Sequence, residues 1–538
     1  MSSVSTEQMS RNAGPATGPR PTYVSIASDE SIHHKFAVAV EALRKEFGRH
    51  HPMHIGDKEI FTEGDEIELR SPVDRRIVMG MFPKATKEQV QQAIAVANEA
   101  FPSWSCTSYE ERVRIFRRAA DILEQRVFHI AALTSYEVGK SRLEALAEVY
   151  EVVDWFRYYC DQLEATEGFL TRMRSPVKSE KCVSVLKPYG TWAVISPFNF
   201  PVALANNMCA GALMMANTVV FKPASAAAYS GLKLYEIYRE AGIPAGVVNF
   251  MTGPGQVFGD VVTASPDIAG VAFVGSKEVG CSLQKQFTER QPYTKPFISE
   301  MGSKNPVIVT DEADIEKAAM GVMKGVFGYQ GQKCSATSRV YVQKGVAKAF
   351  TDMLVAKTKD LRVGNPISKD VFMGPVVDAK AVNTFNEWVT KTKADGARIL
   401  CGGNVLSSGD LAHGFYVEPT VIAGLAPDHP IFREELFLPV LALAEYERFD
   451  DALRVANDTE YGLTAGVFSE DKAEVEHFFR KIQFGVCYAN RAGGATTGAW
   501  PGAQAFVGWK ASGTTGKGVL GPHYLQGFAR EQAQTVVE

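Results

Sequence analysis

The sequence predicts an α/β protein with two doubly wound parallel-sheet domains, on three observations. Short apolar strand patterns alternate with helix patterns from Thr191 to about Ser276. A second alternating block runs from near Pro306 to about Val486, and glycine-bearing turns stand where strands give way to helices. Strands that are apolar at every position are buried on both faces, the condition of a parallel sheet covered by helices on each side.

Taken in order, residues 1–24 are rich in Ser, Thr, Gly and Pro, lack an apolar run, and read as a disordered tail and not as a signal peptide. From about Thr86 to Leu163 the pattern is helical. Ser108-Tyr109-Glu110-Glu111 has the capping-box form, and Val113, Phe116, Ala120 and Leu123 then share one face. A single long amphipathic helix is expected over roughly 130–162, and an extended hairpin between Phe169 and Lys187. Strands at 191–195, 219–221, 247–251 and 270–274 alternate with helices at 202–215, 229–241, near 256–263, and from Ser276. The helix at 229–241 meets Gly242, a natural stop. Val307-Ile308-Val309 and a helix over 314–327 open the second block.

With 538 residues, 46% of them hydrophobic and 22% charged, the chain is long enough for two to four domains and a large core. The 57 Lys and Arg against 61 Asp and Glu leave a net charge of −4, which offers neither nucleic acid nor an anionic membrane an electrostatic reason to bind. The most apolar window, 202–221, holds Asn206, Asn207, Asn217 and Thr218 between Pro201 and Pro223, so it reads as a buried helix and strand and not as a membrane span. Eight cysteines without a C-x-x-C pair point to free thiols in a reducing, cytoplasmic setting. His50, His51 and His54 cluster without a cysteine or an H-E-x-x-H pattern, so a solvated loop is expected there and no metal site.

A doubly wound sheet binds ligands beyond the carboxyl ends of its strands, where helix N-termini present free amides. Thr252-Gly253-Pro254-Gly255 and Gly275-Ser276 suit that place, although neither is a strict G-x-G-x-x-G and glycine turns after strands are more often tight-turn chemistry. Cys334 lies in a polar, glycine-punctuated segment, Phe327 to Ala336, near a predicted helix end. A reactive thiolate needs positive potential or amide donors close by, whereas a structural cysteine needs only a core. Glu300, after an apolar strand and beside Met301-Gly302, stands where either a general base or a capping carboxylate would. Residue types alone leave both roles open.

The segments Ser196-Pro197-Phe198-Asn199-Phe200-Pro201, Phe221-Lys222-Pro223, Thr252-Gly253-Pro254-Gly255, Phe273-Val274-Gly275-Ser276, Glu300-Met301-Gly302, Gly331-Gln332-Lys333-Cys334 and Glu434-Glu435-Leu436-Phe437-Leu438-Pro439-Val440 occur in this order. The series resembles the aldehyde dehydrogenase superfamily over about 52–535. The resemblance implies that Cys334 attacks the carbonyl, that the Asn199 amide and the Cys334 N–H hold the oxyanion, and that Glu300 activates the water that releases the acid. It implies NAD or NADP as hydride acceptor, with Lys222 at the adenosine ribose, Gly255, Gly275 and Ser276 along the phosphates, Glu435 at the nicotinamide ribose and Phe437 beside that ring. Ser225 stands where an NAD-preferring relative carries an acid, which leaves NADP open.

Within the superfamily the sequence most resembles the 1-pyrroline-5-carboxylate (L-glutamate γ-semialdehyde) dehydrogenases, through Gly331-Gln332-Lys333-Cys334-Ser335-Ala336, Thr496-Thr497-Gly498-Ala499 and Gly521-Pro522-His523-Tyr524-Leu525. This implies that Ser335 with the amides of Gly498 and Ala499 anchors the substrate α-carboxylate, that Glu144 meets the α-ammonium, and that Phe200 and Phe506 contact the substrate. Trp500-Pro501 and Ala505-Phe506-Val507-Gly508 depart from that pattern, so a dehydrogenase for another aliphatic or aromatic aldehyde or semialdehyde is the alternative, and a non-catalytic protein on this fold the third reading. The implied domains are a dinucleotide domain from 25–164 and 188–299, a catalytic domain from 300–502, and a small oligomerisation element from 165–187 and 503–538. By likeness that element joins subunits through strand addition into a homodimer or larger assembly.

Overall fold

A computed structural model describes residues 29–62, 64–494 and 501–538. Its first large sheet has seven strands in the order Phe297–Glu300, Ile268–Val274, Thr191–Ser196, Thr218–Pro223, Val248–Phe250, Met53–Ile55 and Lys58–Ile60. The first five run parallel, and the last two, from the beginning of the chain, close the edge antiparallel. Thr218–Pro223 is buried at all six positions. The reason is visible in its side chains. Val219 and Phe221 join the core formed with the helices Ala203–Met214 and Ala228–Ala241, whereas Val220 points to the opposite core with Val90, Ile94, Phe258 and Val262. Successive residues of a strand face opposite ways, so a strand between two helical layers is apolar throughout.

The second sheet also has seven strands, ordered Arg398–Cys401, Thr420–Ala423, Val440–Tyr446, Thr337–Gln343, Asn305–Val309, Thr464–Phe468 and Val486–Ala489. All are parallel except the first, an antiparallel edge. Here too neighbours divide between cores, Val307 and Val309 on one side and Ile308 on the other. The chain passes from one sheet to the other through the buried residues 301–304 alone.

In the first sheet the chain steps outward from Thr191–Ser196 to Thr218–Pro223 and Val248–Phe250, then returns to the other flank with Ile268–Val274. The direction of winding therefore reverses between Thr191–Ser196 and Ile268–Val274, and a crevice opens where their following loops diverge. Asn199 and Phe200 leave one of these strand ends and Gly275 and Ser276 the other.

Two local expectations need correction. The single helix expected over 130–162 is two, Val127–Val138 and Arg142–Ala165. Gly139 ends the first with a left-handed φ of 74°, and a side chain there would meet the Pro375 carbonyl at 2.7 Å. Apolar periodicity continues across such a break because both helices pack on the same core. At Ser108 only half of the capping box forms: its side chain accepts from Glu111 N at 3.3 Å, while the Glu111 carboxylate turns to Arg114. The reciprocal box belongs to Thr86 and Gln89, at the start of Lys87–Ser105.

A smaller sheet pairs Leu170–Arg172, Glu180–Pro188 and Ala529–Val537 antiparallel, which realises the expected hairpin. Of residues 503–538 only Ala529–Val537 joins it; Phe506 pairs with Val519 beside Glu300. Of the histidines near residue 50, His50 is solvent-exposed beside Glu66, as expected, but the other two are packed. His51 stacks on Phe82 and Tyr229 with centroids 5.0 and 4.5 Å apart, and His54 stacks on Tyr235 at 4.4 Å. No helix among the described residues is long and apolar enough to cross a membrane.

Candidate active site

The loop that carries Cys334 is held by three successive left-handed residues. Tyr329 (φ 50°), Gln330 (φ 56°) and Gly331 (φ 67°) follow the helix Ile315–Phe327. Two of these are not glycine, and such conformations persist only where surrounding contacts over-determine them. Tyr329 donates to the Val138 carbonyl at 3.1 Å, and Gln330 Nε2 donates to the carbonyls of Gly139 and Pro375 at 2.9 and 2.6 Å. Any side chain at 331 would strike the Leu438 carbonyl.

The buried Asn305, first residue of its strand, ties this loop to the second sheet. Its Nδ2 donates to the carbonyls of Cys334 and Ala336 at 2.7 and 2.9 Å, and its Oδ1 accepts from Thr464 N at 3.0 Å. Sequence reasoning passed over it, although a polar residue heading an apolar strand is a signal of such a tie. Asn305→Leu leaves those groups without their partner and is expected to cost about 3 kcal/mol. A urea midpoint equal to the wild-type value would show that something else holds the loop.

Glu300 ends the edge strand of the first sheet and is buried. Among the described residues neither of its oxygens meets a well-aligned donor; the group against which it is set is the Cys334 thiol. Burial pushes the carboxyl up to about 7, and the thiol draws it partly back. The thiol itself is pushed well above the ordinary cysteine range, first by burial and then by the charge of Glu300 and its hydrogen bond. The carboxylate thus favours the neutral thiol, while the thiol favours the ionised carboxylate. A cavity of about 30 Å³, room for one water, lies against Glu300 and is bordered by Asn207, Ser299, Phe506 and Tyr524.

Asn199 is buried at the strand end beyond Ser196, and Phe200 packs on the same core as Cys334. Glu144 is held by Lys333 Nζ, 2.7 Å from each oxygen. The carboxylate expected to meet the substrate ammonium therefore already has the residue before Cys334 as its counter-ion. Ser335 is buried, and its carbonyl accepts from Thr464 Oγ1 at 3.2 Å. Gly498, Ala499 and Trp500 lie outside the described residues.

On the crevice side, Lys222 is buried at the end of Thr218–Pro223, donates to the Pro223 carbonyl at 3.0 Å, and is lowered to about 8 by burial. Ser225 lies one turn on, its Oγ 3.5 Å from the Gly253 carbonyl. Gly255 opens the helix Gly255–Ala264, and a Cβ there would meet nothing within 4 Å. Ser276 caps Lys277–Arg290, while Gly275 N donates to the Glu300 carbonyl at 3.2 Å, so this turn is tied to the backbone of Glu300. Glu435 accepts from Ser303 N at 2.7 Å and is raised to about 7 by burial, against the pull of that N–H and of Lys304. Phe437 takes φ 58° and meets Phe198 edge-on, centroids 5.9 Å apart.

A thiol facing a carboxylate, beside the crevice at the switch point of a doubly wound sheet, is the working part of enzymes that oxidise aldehydes through a covalent intermediate. The chain belongs to the aldehyde dehydrogenase family, whose model matches residues 61–533, and is an NAD(P)-dependent oxidoreductase acting on aldehydes. A relative named 1-pyrroline-5-carboxylate dehydrogenase, from Geobacillus thermodenitrificans, is 39% identical over 507 residues, covering 94% of this chain and 96% of its own. Among solved structures, the R100A mutant of Thermus thermophilus 1-pyrroline-5-carboxylate dehydrogenase matches with a TM-score of 0.91 at 33% identity, covering 98% of this chain and 100% of that one. A 1-pyrroline-5-carboxylate dehydrogenase from Thermus with bound NAD matches equally, with a TM-score of 0.91, 34% identity and the same coverage.

Proposed function

We propose that this chain oxidises L-glutamate γ-semialdehyde, the open form of 1-pyrroline-5-carboxylate, to L-glutamate in proline catabolism. The observation that carries the chemistry is the Cys334–Glu300 pair; the names of the relatives carry the substrate. The Glu300 carboxylate takes the thiol proton as Cys334 Sγ attacks the aldehyde carbon. The Asn199 amide and the Cys334 N–H stabilise the resulting oxyanion, one such donor being worth roughly 3–4 kcal/mol. Having released its proton to solvent, Glu300 then takes a proton from a water in the adjoining cavity, which attacks the thioester and frees the acid.

The crevice residues fit a dinucleotide. The Lys222 ammonium is buried beside a single carbonyl and suits ribose hydroxyls, the open helix starts at Gly255 and Ser276 suit phosphates, and Glu435 suits the second ribose. When bound, the nicotinamide supplies the hydride acceptor. Ser225 carries no charge to repel a 2′-phosphate, so NAD or NADP serves. Ser335, Phe200 and Phe506, with Gly498 and Ala499, hold the substrate, and the Glu144–Lys333 pair presents charges of both signs to its amino-acid end.

The exposed strand Ala529–Val537 supports assembly into a homodimer or larger oligomer by strand addition. The eight cysteines all carry free thiols, which supports a cytoplasmic setting. A panel of aldehydes with both cofactors tests the substrate: kcat/KM is expected to be highest for glutamate γ-semialdehyde. Preference for an uncharged aldehyde would overturn that assignment.

A further inference from the structure

Lys140 is completely buried, in the break between Val127–Val138 and Arg142–Ala165. A lysine is costly to bury, and its neighbours show where this charge is directed. Its Nζ lies 2.8 Å from Glu148 Oε2, 3.5 Å from the centre of the Phe200 ring and 4.4 Å from the centre of the Tyr329 ring. The two rings meet edge-on, centroids 6.2 Å apart. Phe200 belongs to the loop that carries Asn199; Tyr329 belongs to the strained loop that carries Cys334. Glu148 extends the connection, because its Oε1 accepts from Val202 N and Ala203 N, both at 3.0 Å, where the Asn199–Phe200 loop enters its helix.

We infer that Lys140 is a positioning residue for aldehyde binding: its ammonium, anchored by Glu148, clamps the Phe200 ring against Tyr329 and so sets the substrate wall in register with the nucleophile loop. A hydrocarbon of the same length fills the space but attracts neither ring face, whereas a desolvated cation over an aromatic face is held strongly. Removing the charge lets Phe200 turn away from its place while the Cys334–Glu300 pair and the dinucleotide crevice keep theirs.

The inference rests on the reaction proposed above, not on its particular aldehyde, so the test uses glutamate γ-semialdehyde and propanal. Failure of the reaction itself shows as an inactive wild-type enzyme before any variant is compared. Lys140→Met is expected to raise KM by about 30-fold with kcat much less affected and with the dinucleotide Kd within about twofold of wild type. In a Phe200→Leu background the same change is expected to add little, because the ring it positions is gone. Glu148→Gln keeps an acceptor for Val202 and Ala203 and unpairs the ammonium, so it gives a second variant should Lys140→Met not fold; its KM is expected to rise in the same sense. An unchanged KM in a folded variant, a KM and dinucleotide Kd that rise together, or full additivity with Phe200→Leu would each overturn the inference.

Discussion

Cys334→Ala is expected to lower aldehyde turnover by about 10⁴-fold or more, roughly 5 kcal/mol of barrier. The expectation is specific to this one of eight cysteines. Cys160 and Cys209 are buried in the first core, and burial pushes their thiols up without any carboxylate poised to take the proton. Cys106 is exposed just past the end of Lys87–Ser105 and Cys281 is exposed on Lys277–Arg290, and Cys487 sits on an edge strand with its thiol pushed up to about 12. Among the described residues only Cys334 is set against a buried carboxylate, on a loop whose carbonyls Asn305 holds. Cofactor reduction in the presence of glutamate γ-semialdehyde measures the effect, with Cys487→Ala as a control that should keep wild-type turnover. A Cys334→Ala enzyme within tenfold of wild type would remove the covalent mechanism.

Glu300→Gln is expected to reduce kcat by about 10²- to 10⁴-fold, the usual contribution of a positioned acid or base. It should also change the shape of the pH profile. The wild-type carboxyl titrates near 7 because burial penalises its charge, and only the ionised form accepts a proton. Activity should therefore rise with pH through about 7, the protonated enzyme below it being unable to activate either the thiol or the water. Glutamine has no such titration, so that limb should vanish. The thiol moves as well: loss of the neighbouring negative charge lowers its pKa, and Cys334 should alkylate faster in Glu300→Gln than in wild type at the same alkaline pH. A variant that kept the wild-type limb near 7 would move the base to another residue.

What could be read along the chain was whatever depends on neighbours in sequence. Continuously apolar strands such as Thr218–Pro223 announced a sheet covered on both faces, because strand geometry alternates side chains between two cores whatever the rest of the molecule does. The order of motifs through Asn199, Lys222, Glu300, Cys334 and Glu435 identified the family and the chemistry together. The break at Gly139 was hidden because the contact that requires a glycine there, the Pro375 carbonyl, is distant in sequence.

The pairing of Glu144 with Lys333, the clamp of Lys140 on Phe200, and the hold of Asn305 on the Cys334 loop were hidden for the same reason. The sequence by itself thus determined the class of fold and the family, and it named the candidate nucleophile and base. Only the tertiary structure decided which buried charges face one another and how deeply Glu300 is buried, and the burial is what pushes its carboxyl up to about 7. Desolvation and Coulomb interaction depend on distance through space, and the chain brings residues far apart in sequence to within a few ångströms where its two sheets meet.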